Sequence, residues 1–154
     1  MARSREYAAT VTASPYQLLK MSEAQRVALE SGNFRGGSAN TAAIVAGLTG
    51  ITATVLGLVF VASTPVGVAM GIASLASTLF ASGTGSTVEN VISNGIAGID
   101  KINNQIALYG GRYDLYQIKF PFLEYTLQDG TVIRFISGNG VVQKAHSGNG
   151  WEVF

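Results

Sequence analysis

A chain of 154 residues has room for one domain of ordinary size and excludes a large multidomain enzyme. Charged residues make up 12% of it, about half the usual share of a soluble domain, and mean hydropathy is positive at +0.31, a balance that leans toward lipid or a large subunit interface. A net charge of +1 excludes the electrostatic footprint of a nucleic-acid binder, and the absence of cysteine excludes disulfides, thiolate zinc sites and cysteine nucleophiles.

The opening stretch MARSREYAATVTASP has basic residues but no apolar run of signal-peptide length. Export would then use another route, or the chain would be cut from a longer precursor. In SPYQ, Ser14 can cap, Pro15 suits the first helical position and Gln17 completes a capping box, which predicts a helix ending at Gly32. Leu18, Leu19, Val27 and Leu29 form its apolar side against Lys20, Glu23, Arg26 and Glu30. With the Gly-rich link SGNFRGGSAN behind it, residues 1–35 read as an N-terminal amphipathic helix and linker.

Residues 36–88 contain no Asp, Glu, Lys or Arg, so all ten basic and nine acidic residues lie in the flanks. Two apolar segments, Thr41 to Ala62 and Val66 to Ser82, are joined by STP, where Pro65 can end one helix and begin the next. As helices they would be roughly 33 Å and 26 Å long, against a hydrocarbon core of about 30 Å. The apolar side chains of the first segment favour insertion by about 3 to 6 kcal/mol and those of the second by about 2 to 4 kcal/mol, before Thr, Ser and Gly offset part of it. Small residues recur every four positions on both arms. Ala46 and Gly50 lie on one stripe, Ala53 and Gly57 on another, Gly67 and Gly71 are in GxxxG spacing, and Ala73 and Ser77 belong to a further stripe. Such spacing lets two helix backbones approach closely, which predicts membrane or oligomer contact through Ala46, Gly50, Gly57, Pro65, Gly67, Gly71, Ala73 and Ser77.

Residues 86–111 begin with a second capping box, Ser86 to Glu89, and carry a heptad seam of Val88, Ile92, Gly95, Ile99, Ile102, Ile106 and Tyr109 before Gly110 and Gly111. From residue 112 the pattern changes to strands. YDLYQIKF, FLEYTL, TVIRFI, GVVQKA and WEVF are short, aromatic and β-branched, and the twice-occurring SGNG fits successive hairpin turns. The predicted fold class is therefore α+β: an amphipathic helix, an apolar Gly/Ala-rich helical hairpin, a heptad-patterned helix and a small antiparallel β-meander over 112–154.

No catalytic constellation stands out. His146 is the only histidine and reads as an exposed turn residue, no GxSxG elbow is present, and the spacing of Asp114, Glu124, Asp129 and Glu152 predicts no acid pair. SGTGS and GNG lack the Lys-Ser/Thr of a phosphate loop. The expectation is a protein that is not an enzyme and has no cofactor, metal or small-molecule substrate.

The layout of Thr41 to Ser82, about a quarter of the chain, resembles the hydrophobic helical hairpin of pore-forming bacteriocins and colicin-type toxins, and the glycine-zipper segments of secreted antibacterial toxins. That resemblance implies a membrane-associated, pore-forming protein whose hairpin is hidden in one state and inserted in another as a homo-oligomer, with a lipid membrane as its partner. Two other readings fit the same composition: a structural subunit of a phage or secretion assembly with apolar helices buried between subunits, and a two-span membrane protein.

Overall fold

The capping box at the start of the first helix forms as its spacing predicts. In the computed structural model, which describes residues 2–154, the Ser14 hydroxyl accepts from the Gln17 amide while the Gln17 side chain accepts from the Ser14 amide, and helix α1 runs Pro15–Gly32. Asn33, with φ at 44°, takes the left-handed position expected of Gly32. The buried face is rotated from the predicted one. Leu18, Met21, Ala24, Gln25 and Ala28 face inward, whereas Leu19 is 57% exposed.

The first apolar segment is not one helix. It divides into α2, Thr41–Leu48, and α3, Ala53–Phe60, each about 12 Å long. The break has local causes. Gly50 adopts a φ of +91°, which side-chain-bearing residues rarely tolerate, and the Thr52 hydroxyl accepts from the Val55 amide and so starts a new helix. Pro65 does begin α4, Pro65–Ser82, with Thr64 as its cap, and Gly83 ends it at a φ of +75°. Between α3 and α4, Val61 is held at a φ of +82°, a costly conformation for a β-branched residue.

Helix α5 spans Gly85–Ala107. Its predicted capping box does not form: Thr84 occupies the cap position without a side-chain hydrogen bond, and Glu89 instead accepts from Arg35 Nε at 2.7 Å. The heptad seam is real, with Val88, Ile92, Gly95, Ile99, Ile102 and Ile106 all buried, and α5 packs chiefly against α1 of the same chain.

The sheet is antiparallel and has five strands, which gives the α+β class predicted from sequence. Residues 3–13, read above as part of an N-terminal helix and linker region, form β1, Arg3–Ala13, paired along its whole length with β2, Leu115–Thr126. Strand β2 merges the two predicted segments on either side of Pro121. Its other edge carries β3, Val132–Ile136, and β4, Val141–Ser147, one after the other, and β5, Gly150–Val153, extends from β4. The two SGNG tetrapeptides therefore have different fates. The second makes the β4–β5 hairpin, with Ser147 opposite Gly150, while the first interrupts the edge between β3 and β4.

This interruption explains how a central strand keeps its proline. A strand residue's N–H and C=O leave by the same edge, and the Pro121 carbonyl accepts from Ser137 at 2.9 Å, so the missing N–H points at the gap between β3 and β4. Around Pro121 the buried side of β2 also changes parity, from Tyr116, Ile118, Phe120 and Phe122 to Leu123 and Tyr125. Strand β3 lies amid the helices, touched by α3, α4 and α5, and one continuous apolar cluster joins sheet and helices.

Candidate functional site

The uncharged segment presents an apolar layer to solvent. On α4, Val66, Met70, Ala73, Ser77 and Phe80 fall at helical spacing on one side, with Val66, Met70 and Phe80 exposed by 60%, 58% and 57%. Its opposite side, including Val68, Ile72, Leu75 and Leu79, is buried in the core. A groove of about 490 Å³ separates α4 from α2, lined by Ala42, Val45 and Ala46 on one bank and Val66, Ala69 and Met70 on the other. The stretch Ala53–Ser82 is long and apolar enough to cross a membrane by length and composition, with 44% of its most apolar window buried inside the fold. The core helix of a soluble protein meets the same criterion. Here the stretch is shared by two helices, because the backbone turns at Val61.

The eight residues predicted for close contact divide by location. Ala46, Ala73 and Ser77 lie in or beside the outward layer, Ala46 and Ser77 exposed and Ala73 half-buried. Gly50 is exposed at the α2–α3 break, and neither it nor the half-buried Gly57 has any atom within 4 Å of the place a side chain would occupy. Pro65 and Gly67 form the start of α4, where Gly67 faces only Thr64 and Ala62. Gly71 is buried against Ile133 of β3, at 3.2 Å from a would-be Cβ. Within one chain, these glycines bring no two hairpin helices together.

The close approaches occur on α5, which the sequence analysis did not single out for them. A Cβ at Gly95 would stand 1.7 Å from the Ile136 carbonyl oxygen, and one at Gly98 2.0 Å from that of Gly138. Their spacing of three within an otherwise isoleucine-rich seam was the available signal. Beside Gly95, the fully buried Gln25 Nε2 donates to the carbonyls of Ile92 and Ile136 at 3.0 and 2.7 Å, and its Oε1 accepts from the Ile136 amide at 3.0 Å. One side chain thus ties α1, α5 and β3 together.

A second polar link holds the apolar layer to the sheet. Arg5, Glu124 and Arg134 form a row across β1, β2 and β3. Glu124 accepts from Arg5 Nε at 2.8 Å and from the Tyr7 hydroxyl at 3.0 Å. Arg134 lies 4.0 Å above the Phe122 ring, donates to the Tyr7 hydroxyl at 2.9 Å and reaches the Leu58 carbonyl of α3 at 2.8 Å, while its buried Nε makes no hydrogen bond. Burial opposes the charge on Glu124, but the hydrogen bonds from Arg5 and Tyr7 and the charges of Arg5 and Arg134 outweigh it and hold its carboxyl below the usual range.

At the far end of the sheet, His146 is more engaged than a free turn residue. Its Nδ1 lies 2.7 Å from Asp114 Oδ1 and its ring meets Trp151 edge-on, and the hydrogen bond to His146 lowers the pKa of Asp114. Tyr113 donates to Glu152 within a cluster that also holds Tyr109, Tyr116 and Phe154. Among the described residues no group of three or more His, Asp or Glu side chains could hold a metal ion. Comparison with known protein families, curated proteins and solved structures returns no match.

Proposed function

We propose that this chain is a membrane-active protein that engages lipid through its uncharged α2–α4 layer and opens that layer from the sheet to insert. The observation that carries the reading is the exposed stripe of Val66, Met70 and Phe80 on a helix whose segment has no charge from residue 36 to residue 88. Two features supply a route for opening. The strained Val61 sits at the tip between α3 and α4, and α3 meets the sheet through the hydrogen bond from Arg134 to Leu58. In water the layer stays folded because its inner face completes the core.

Flotation with phosphatidylcholine–phosphatidylglycerol vesicles, followed by dye leakage, tests the proposal. Removing two exposed apolar side chains, worth about 1.5 to 3 kcal/mol each when fully buried, should weaken association by tenfold or more in a Val66→Ser, Met70→Ser double variant with its unfolding temperature unchanged. Wild-type protein that stays with the aqueous fraction at every lipid composition and pH refutes the proposal.

The groove between α2 and α4 favours a second reading, in which the same layer is buried between copies of the chain. Sedimentation without detergent distinguishes them: a defined soluble oligomer supports assembly, and a monomer that partitions into vesicles supports membrane action.

A further inference from the structure

We propose that the cavity where the end of α4 and the start of α5 meet the β1–β2 edge binds a neutral amphiphile, an aliphatic chain ending in an ester or hydroxyl group. The cavity measures about 710 Å³, within the range of roughly 300 to 1,000 Å³ typical of small-molecule sites. Among the described residues no charged side chain lines it. Instead it presents hydroxyls from three directions: Ser77 on α4, Thr87 on α5, and Ser4 with its cross-strand partner Tyr125 on the sheet. None of these four hydroxyls makes a hydrogen bond among the described residues, whereas Thr78 and Ser82, also at the cavity, spend theirs on helix carbonyls.

Tyr125 gives the site its direction. The residue is only 8% exposed, and its hydroxyl, unpartnered among the described residues and open to solvent at the cavity, is placed to donate to an oxygen acceptor of a bound molecule. Leu79 and Ala81 supply apolar wall for the aliphatic part. A charged head group would enter an uncharged site without a counterion, and Glu6, near enough to act on Tyr125 and on the same face of β1 as Ser4, disfavours an anion in particular. A sugar is disfavoured because the buried Tyr125 ring offers little open face for stacking.

Titration calorimetry of the full chain with 1-monooctanoylglycerol, kept below its micellar concentration, tests the site without any bilayer and so separately from the membrane reading. Saturable binding is expected, weakened about 5- to 10-fold in Tyr125→Phe, the loss of one hydrogen bond. Thr87→Phe, which fills the cavity from an exposed position on α5, should abolish binding while leaving the unfolding temperature unchanged. Octanoate should bind at least tenfold more weakly. The proposal is overturned by the absence of saturable binding to the wild type, by equal affinity for octanoate, by a preference for glucose, or by wild-type affinity in both variants.

Discussion

Replacing Gly95 by alanine tests the packing of this fold most directly, because two effects of opposite sign can be weighed. Alanine is the better helix former by about 1 kcal/mol, so an isolated α5 would gain stability. In the folded chain its Cβ would lie 1.7 Å from the Ile136 carbonyl oxygen and 2.3 Å from Gln25 Nε2. Ordinary contact requires about 3.5 Å, so α5 and β3 must separate by about 1.5 to 2 Å. A shift of that size breaks the hydrogen bonds of Gln25 and leaves buried polar groups unpaired, at about 1 to 3 kcal/mol apiece. After the propensity gain, the net loss is about 3 to 5 kcal/mol, or roughly 6 to 20 °C in Tm for a domain of this size. Gly57→Ala supplies the contrast. That helical position has nothing within 4 Å, so the same substitution should raise stability by up to about 1 kcal/mol. Thermal and urea unfolding followed by circular dichroism would measure both. A Gly95→Ala protein within about 2 °C of wild type, or one shifted in the same direction as Gly57→Ala, would refute the reasoning.

Gln25→Leu keeps the volume at that junction but leaves the Ile136 amide unpaired, and a loss of about 2 to 3 kcal/mol should appear as a lower urea midpoint. Arg134→Met removes the hydrogen bond to Leu58 while keeping a long apolar side chain over Phe122; hydrogen exchange should quicken in α3 before it quickens in α1 or α5. Acid should destabilise the fold through Glu124. Its folded pKa is depressed, so its contribution is complete above the unfolded value of about 4.3 and is lost as pH falls through the lower folded value, and Glu124→Gln should flatten the stability curve over that window. Gly71→Leu should lower the unfolding temperature of the soluble chain because Ile133 of β3 faces that position, whereas Gly50→Leu should act through backbone strain, since its position is open but its φ is +91°.

Each correct element in the sequence reading was carried by residues close to one another along the chain. Ser14, Pro15 and Gln17 sit within one turn, Thr64 and Pro65 are adjacent, and the α5 seam repeats every three or four residues. The strand β1 escaped notice because its inward side, Tyr7, Ala9, Val11 and Ala13, uses alanine at two of four places and so gives a faint period of two. Gly50 was read as part of a small-residue stripe, since spacing alone cannot distinguish a helix that continues through a glycine from one that restarts at a threonine cap. The candidate site was legible only in part. Its lack of charge and the places of Ala46, Ala73 and Ser77 could be read, but the division of α4 into a core side and an exposed side could not.

The sequence by itself determined the starts of α1, α2 and α4, the charge-free middle and the change from helical to strand periodicity, because capping, proline geometry and side-chain period act over a few residues. Only the tertiary structure decided where each surface went. The pairing of β1 with β2 spans more than a hundred residues, and the first SGNG became an interruption where Pro121 faces a gap, while its twin became a turn. The glycines that permit backbone contact proved to be Gly85, Gly95 and Gly98 on α5, because close approach depends on what lies opposite, and that is fixed only when distant parts of the chain pack together.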